Sequence, residues 1–233
     1  MCIADPRRSQ WRIVADPPML AIAHRFGNQV ADVRLALDAG VDLVEADVHY
    51  YRRELEVRHL KTLGPHLLWD KGQVVRREGL TLPDLAAVLT ALDGDSRIML
   101  DLKGRRADLA PQVAELLRDL ASASPVTVCA KRWWMLDVFA PDPQIRVVLS
   151  AGTRPGLLRL RRRLRARPGS AFGVSVRRSL LTPEVVRELH RRVDRVLAWP
   201  VDTRSDLDHA RHLGVSGVIS KNLRLLAELV ASR

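Results

Sequence analysis

Cysteine is almost absent: Cys2 and Cys129 are the only two in 233 residues. One stands near the start of the chain and the other in an apolar stretch of strand length. That pair makes neither a disulfide framework nor a zinc-ligand spacing. No apolar run approaches the ~20 residues needed to cross a bilayer, which argues against a transmembrane helix. The opening MCIADPRRSQWRIVADPP lacks the apolar core of a signal peptide. A cytoplasmic protein is therefore expected, with residues 1–18 as an N-terminal extension. Nothing resembles a zinc finger or an RNP motif, so no nucleic-acid partner is expected. Linkers, low-complexity tracts and solenoid repeats are also missing. A hydrophobic content of 47% excludes a disordered chain. At this length one domain is the natural expectation.

Acidic residues are scarce in one region. Residues 151–200 hold thirteen arginines against Glu184, Glu188 and Asp194, which is +10 of the formal +11. The densest run, Arg159 to Arg167, is interleaved with Leu157, Leu158, Leu160 and Leu164, the pattern of a basic amphipathic helix. Its plain reading is a solvated outer helix. Its sharper reading, over residues 154–167, is an interaction surface such as peripheral contact with anionic membrane. No feature of the sequence sets an oligomeric state.

Apolar runs of strand length alternate with amphipathic helical patterns. Strands are predicted at 19–23, 43–48, 97–103, 126–130, 145–150, 171–176, 195–200 and 217–220. Helices are predicted near 28–39, 82–92, 108–120, 133–140, 156–167, 182–192, 205–213 and from about 222 onward. Thr182-Pro183-Glu184 and Ser205-Asp206 read as helix starts. Eight strand–helix units predict an α/β fold, a (β/α)8 TIM barrel forming one domain over 19–233. Residues 49–81 interrupt the rhythm, with a short alternating piece at 54–59 and a loop expected over 63–79.

In a barrel, alternate strand residues point inward, and active sites gather at the C-terminal strand ends. His24 and Arg25 close the first strand. Glu45 and Asp47 share a face of the second, and Asp101 and Lys103 share a face of the third. Three carboxylates on neighbouring strands are hard oxygen donors suited to Mg²⁺ or Ca²⁺. The competing reading is a structural ion-pair network in which Lys103 or Arg25 neutralises them. His59 follows the 54–58 segment, and with His24 it offers two imidazoles to flank one substrate. His49 follows the second strand and is placed in a supporting role. His66 falls in the long loop; His190, His209 and His212 fall on helices and read as surface residues.

These residues carry a family resemblance. AHR, DAGVDLVEADV, EVRH and MLDLK occur in that order. They resemble the HRG, A-x-x-x-G-A-D-x-I-E-x-D-V, V-x-H-D and I-E-x-K motifs of the glycerophosphodiester phosphodiesterases. RVLAWPVDT and GVSGVISKNLRLL resemble that family's V-x-x-W-T-V-N and G-V-D-G-I-I-T-D-x-P segments. The likeness spans about residues 20 to 227, and the family fold is also a (β/α)8 barrel.

The resemblance implies a metal-dependent hydrolase of glycerophosphodiesters or related phosphodiesters, lipid-derived or soluble. It implies His24 and His59 as the acid–base pair and Glu45, Asp47 and Asp101 as ligands of the divalent cation. Arg25 and Lys103 become phosphate-binding cations, and Trp199 lines the pocket mouth. The chain departs from the pattern at several points. Phe26 replaces the glycine after HR, and the P-E-N-T segment is absent, as is similar in the spider sphingomyelinase D-like phospholipases. Leu60 replaces the aspartate after the second histidine, and Asp101 replaces a glutamate. Ser220-Lys221-Asn222-Leu223 stands for T-D-x-P. These departures motivate an alternative, a degenerate barrel that binds a phosphorylated ligand without turnover.

Overall fold

A computed structural model describes residues 18–119 and 125–233. In chain order the elements begin with β1 (Leu20–Ala23), α1 (Val30–Asp38) and β2 (Leu43–Tyr51). Four short strands follow: β3 (Glu54–Val57), β4 (Lys61–Leu63), β5 (Leu67–Asp70) and β6 (Gln73–Arg76). Next come α2 (Leu85–Ala91), β7 (Ile98–Leu102), α3 (Leu109–Asp119), β8 (Val126–Ala130) and β9 (Ile145–Ala151). The chain ends with α4 (Arg154–Ala166), β10 (Gly173–Arg177), α5 (Pro183–His190), β11 (Arg195–Trp199), α6 (Arg204–Leu213), β12 (Gly217–Ser220) and α7 (Leu223–Ala231).

The strand order β1-β12-β11-β10-β9-β8-β7-β2 closes on itself, because β1 also pairs with β2. All these pairings are parallel, so the protein is a closed eight-stranded (β/α)8 barrel. Two apolar layers hold it. Val44, Ala46, Leu100, Val128, Val174 and Val196 face out and pack beneath the helices. Ile22, Met99, Cys129, Val148, Leu197 and Ile219 fill the lumen. Helix starts follow from local capping. Thr153, Thr182 and Thr203 accept hydrogen bonds from the first turns of α4, α5 and α6. The start read at Ser205-Asp206 lies two residues earlier, since Thr203 and Asp206 form a capping box. Among the described residues no helix is long and apolar enough to cross a membrane.

Two stretches differ from the sequence reading. The loop expected over 63–79 contains most of a three-stranded antiparallel sheet, β4-β5-β6, followed by a 3-10 turn at Arg77–Gly79. Its strands are three or four residues long and largely exposed, so they leave little apolar alternation to read. The helix expected at 133–140 is a 3-10 segment, Trp133–Phe139. Trp133 Nε1 donates to the Ser150 carbonyl at 3.0 Å, tying the segment to β9, and Pro141 follows at once. The extension expected over 1–18 lies, Pro18 apart, outside the described residues, as does Cys2.

The turn after β1 bears directly on the site. Phe26–Asn28 forms a 3-10 turn, and Gly27 in it is pressed against β2. A Cβ on Gly27 would stand 2.7 Å from Ala46 Cβ and 3.0 Å from the Glu45 carbonyl oxygen. Gly27→Ala must therefore displace the turn from the strand that carries Glu45 and Asp47. A loss of about 1–3 kcal/mol in unfolding free energy is expected from such overpacking. An unchanged denaturation midpoint would contradict this close approach.

Candidate active site

Along several barrel strands the inward side chains change toward the C-terminal end, from the apolar lumen layer to the cavity. Two residues beyond the lumen-filling Ile22, Met99, Cys129, Val148 and Leu197 come His24, Asp101, Lys131, Ser150 and Trp199. These five line one cavity of about 120 Å³ together with Arg25, Glu45, Asp47, His59 and Lys103. The structure thus brings together all eight residues singled out from the sequence. Asp47 and Asp101 are direct neighbours in the β2–β7 register. Glu45, Asp47 and Asp101 each place a carboxylate oxygen within 4.8 Å of the others.

Asp47 has no exposure to solvent and is the most heavily partnered of the three. Lys103 Nζ lies 2.7 Å from its Oδ1, and Arg25 Nε lies 3.7 Å from its Oδ2. Asn28 Nδ2 and His59 Nδ1 donate to Oδ2 at 3.0 and 3.2 Å. Burial alone would push the Asp47 carboxyl up. The hydrogen bond from His59 and the charge of Lys103 outweigh it and hold the group well below the ordinary carboxylate range. Lys103 also binds Asp101. Burial disfavours its ammonium, but the three carboxylates raise it above the usual lysine range, so it stays charged.

Glu45 is less well neutralised. Its Oε2 accepts the Arg25 backbone N–H at 2.7 Å and lies 3.9 Å from His24 Nε2. Arg25 takes a left-handed backbone conformation, φ 69°, in making that contact. Burial, then the Asp47 charge, push Glu45 well above the ordinary range, and burial likewise raises Asp101. Asp101 Oδ1 is buried without a hydrogen-bond partner. These features fit a divalent cation: three hard oxygen donors converge, one donor atom is unsatisfied, and the crowded negative charge favours a compact positive ion.

The histidines stand on either side of this cluster. His59 Nδ1 faces Asp47, while its Nε2 accepts from Arg25 Nη2 at 2.6 Å and lies 3.3 Å from Asp70 Oδ1. Burial, then the Arg25 charge, lower His24 to about 4. His49 lies within β2 rather than beyond it; it is buried, and burial and Arg58 lower it to about 3. His66 is exposed and pairs with Glu78 at 2.8 Å; His190, His209 and His212 are exposed on α5 and α6.

Three site residues were not picked out from the sequence. Asn28 also accepts the Asp47 backbone N–H at 2.8 Å, so it holds both ends of that residue. Its only signal was the Gly27-Asn28 pair just before a helix. Asp70 reaches His59 from β5, supplying a carboxylate where Leu60 has none; nothing in the local sequence marks it. Lys131 lies two residues beyond Cys129 on the inward face, and that spacing was legible. On α4, Arg161 and Arg165 pair with Glu188, and Arg163 pairs with Asp137. Much of the arginine run is therefore engaged within the fold.

No protein-family profile matches the sequence, and no curated protein does. Solved structures do match in fold. A protein of Silicibacter pomeroyi DSS-3 assigned as a glycerophosphoryl diester phosphodiesterase aligns with TM-score 0.75 and 17% identity, over 93% of this chain and 95% of that one. A glycerophosphodiester phosphodiesterase of Parabacteroides distasonis aligns with TM-score 0.72 and 17% identity, over 94% and 98%. An Oleispira antarctica phosphodiesterase, solved with the product sn-glycerol-3-phosphate, aligns with TM-score 0.71 and 15% identity, over 91% and 96%. The barrel is thus the fold seen in glycerophosphodiester phosphodiesterases, as the motif resemblance implied.

A depressed histidine has a signed consequence. The unfolded chain protonates His24 and His49 near 6.5, whereas the folded chain resists until about 4 and about 3. Between those limits the unfolded state binds more protons, so stability falls as pH falls. NMR titration of the metal-free protein should show both rings neutral from pH 8 down to about 5.5. Titration of either ring near 6.5 would contradict the burial that isolates them.

Proposed function

We propose that the protein is a divalent-cation-dependent phosphodiester hydrolase acting on glycerophosphodiesters or related diesters. One observation carries the reading: two histidines flank a three-carboxylate cluster, His24 at 3.9 Å from Glu45 and His59 at 3.2 Å from Asp47. The likeness in fold to a phosphodiesterase solved with sn-glycerol-3-phosphate supports the same substrate chemistry.

Glu45, Asp47 and Asp101 would hold the cation, either Mg²⁺ or Ca²⁺. When bound, it would supply Lewis-acid stabilisation of charge on the phosphate oxygens. Arg25 and Lys103 place fixed positive charge beside the same oxygens. His24, neutral through the physiological range, takes the proton from the attacking oxygen, which belongs to water or to a hydroxyl of the substrate beside the phosphate. His59 is suited to the complementary step, protonating the leaving alkoxide. Asp47 fixes its ring through Nδ1, and Nε2, which meets Arg25 Nη2 at 2.6 Å and Asp70 Oδ1 at 3.3 Å, would turn to the leaving oxygen once Arg25 engages the phosphate. Trp199 walls one side of the cavity.

A purely structural ion-pair network fits less well. Lys103 neutralises Asp47 and Asp101, but among the described residues Glu45 has no lysine or arginine side chain in ion-pair contact. A basic interaction protein working through residues 154–167 would not require the inward carboxylates at all. Peripheral contact with anionic membrane through α4 would rest on Arg154, Arg159 and Arg162, which form no ion pair among the described residues.

The test is a panel of glycerophosphodiesters assayed with and without Mg²⁺ and Ca²⁺, with products identified. Release of alcohol that chelation abolishes is expected; a cyclic phosphate would identify the substrate hydroxyl as the attacker. His24→Ala and His59→Ala should each lower turnover by about 10²–10⁴-fold without unfolding the protein. A variant keeping near-wild-type rate removes that histidine from the chemistry. A soundly folded protein that binds phosphorylated ligands but cleaves no diester would favour the degenerate barrel.

A further inference from the structure

Beside the carboxylate site lies a second, larger cavity of about 860 Å³. The two share His59, Asp101, Lys103 and Lys131 in their walls, so they adjoin. The outer cavity is lined by cations from three successive regions of the barrel rim. Lys61 comes from the β4 insertion, Arg105 and Arg106 follow β7, and Lys131 and Arg132 follow β8. Of these, Arg106 pairs with Asp108. Lys61, Arg105, Lys131 and Arg132 form no ion pair among the described residues. Among the described residues Asp101 is the single carboxylate in the wall, and Lys103 already covers it.

The aromatic side chains give a second, independent indication. A site for a quaternary ammonium headgroup would present free aromatic faces. Here protein cations cover them. Arg106 lies 5.5 Å from the Tyr50 ring and Arg77 lies 3.9 Å from that of Tyr51. In the adjoining carboxylate cavity, Lys131 lies 4.9 Å from the Trp199 ring. A cationic headgroup would meet occupied rings and repelling charge. An anionic one would meet two guanidinium forks and two ammonium groups.

We propose that the outer cavity binds a phosphomonoester carried on one arm of the substrate, making phosphorylated polyol diesters the preferred class over choline or ethanolamine esters. The inference rests on the hydrolase reading for its substrate, but the anion site itself does not. The diester would sit at the carboxylates, with the phosphorylated arm lying past His59 toward Arg105 and Arg132.

Binding and turnover test the two separately. Calorimetry with myo-inositol 1-phosphate and myo-inositol 1,4-bisphosphate should show the bisphosphate bound at least about tenfold more tightly, the effect of one well-made charge-assisted contact. Arg105→Ala combined with Arg132→Ala should reduce that ratio to about threefold or less. Equal affinities in the wild type overturn the proposal, and so does an unchanged ratio in the double variant. Turnover is then compared for glycerophosphoinositol 4-phosphate, glycerophosphoinositol and glycerophosphocholine, with kcat/KM expected to fall in that order. A choline ester cleaved best overturns the proposal and leaves the hydrolase reading intact. No cleavage of any diester, with the bisphosphate preference retained, removes the hydrolase reading and leaves the anion site standing.

Discussion

A carboxylate sealed from water inside a barrel must have its charge answered by the protein, and Asp47 sets that requirement here. It is fully buried in the middle of β2, with Glu45 two residues away and Asp101 directly beside it in register. Each partner it has recruited is also a part of the site. Asn28 anchors the turn after β1, His59 is oriented through Nδ1, and Lys103 and Arg25 bring positive charge to the same place. Losing any one would leave a buried charge less compensated, a costlier change than losing a surface contact. The contacts that stabilise Asp47 are therefore made by side chains of the candidate site itself.

The barrel makes this arrangement possible by dividing each strand. The lower lumen is apolar and supplies packing, while the upper lumen is polar and opens at the rim. The small β4-β5-β6 sheet extends the rim beyond β3, bringing Asp70 to His59 and Lys61 to the outer cavity. The loops after β7 and β8 add arginine and lysine to the same side. The insertion that breaks the strand–helix rhythm is thus what gives the site one of its walls.

Much of this was legible in the sequence, for physical reasons. Eight buried strands read as apolar runs, because parallel barrel strands are covered on both faces. Charges two apart in those runs could only share a face, so Glu45 with Asp47 and Asp101 with Lys103 were visible from period alone. The rest depends on contacts that period does not encode. Asp70 lies eleven residues after His59 and returns to it only through a hairpin. Asn28 acts through a turn whose geometry depends on Gly27 meeting Ala46 on the next strand. The 3-10 segment at Trp133–Phe139 kept a helical pattern of apolar residues while its tether to Ser150 tightened the backbone.

Cation binding by Glu45, Asp47 and Asp101 can be observed directly. Crystals grown with Mn²⁺, a hard ion visible by its anomalous scattering, test it without reference to turnover. One strong anomalous peak is expected at about 2.0–2.6 Å from oxygens of Glu45, Asp47 and Asp101. Crystals saturated with Mn²⁺ that show no peak there, with Lys103 still closing the gap between Asp47 and Asp101, would remove the cation site.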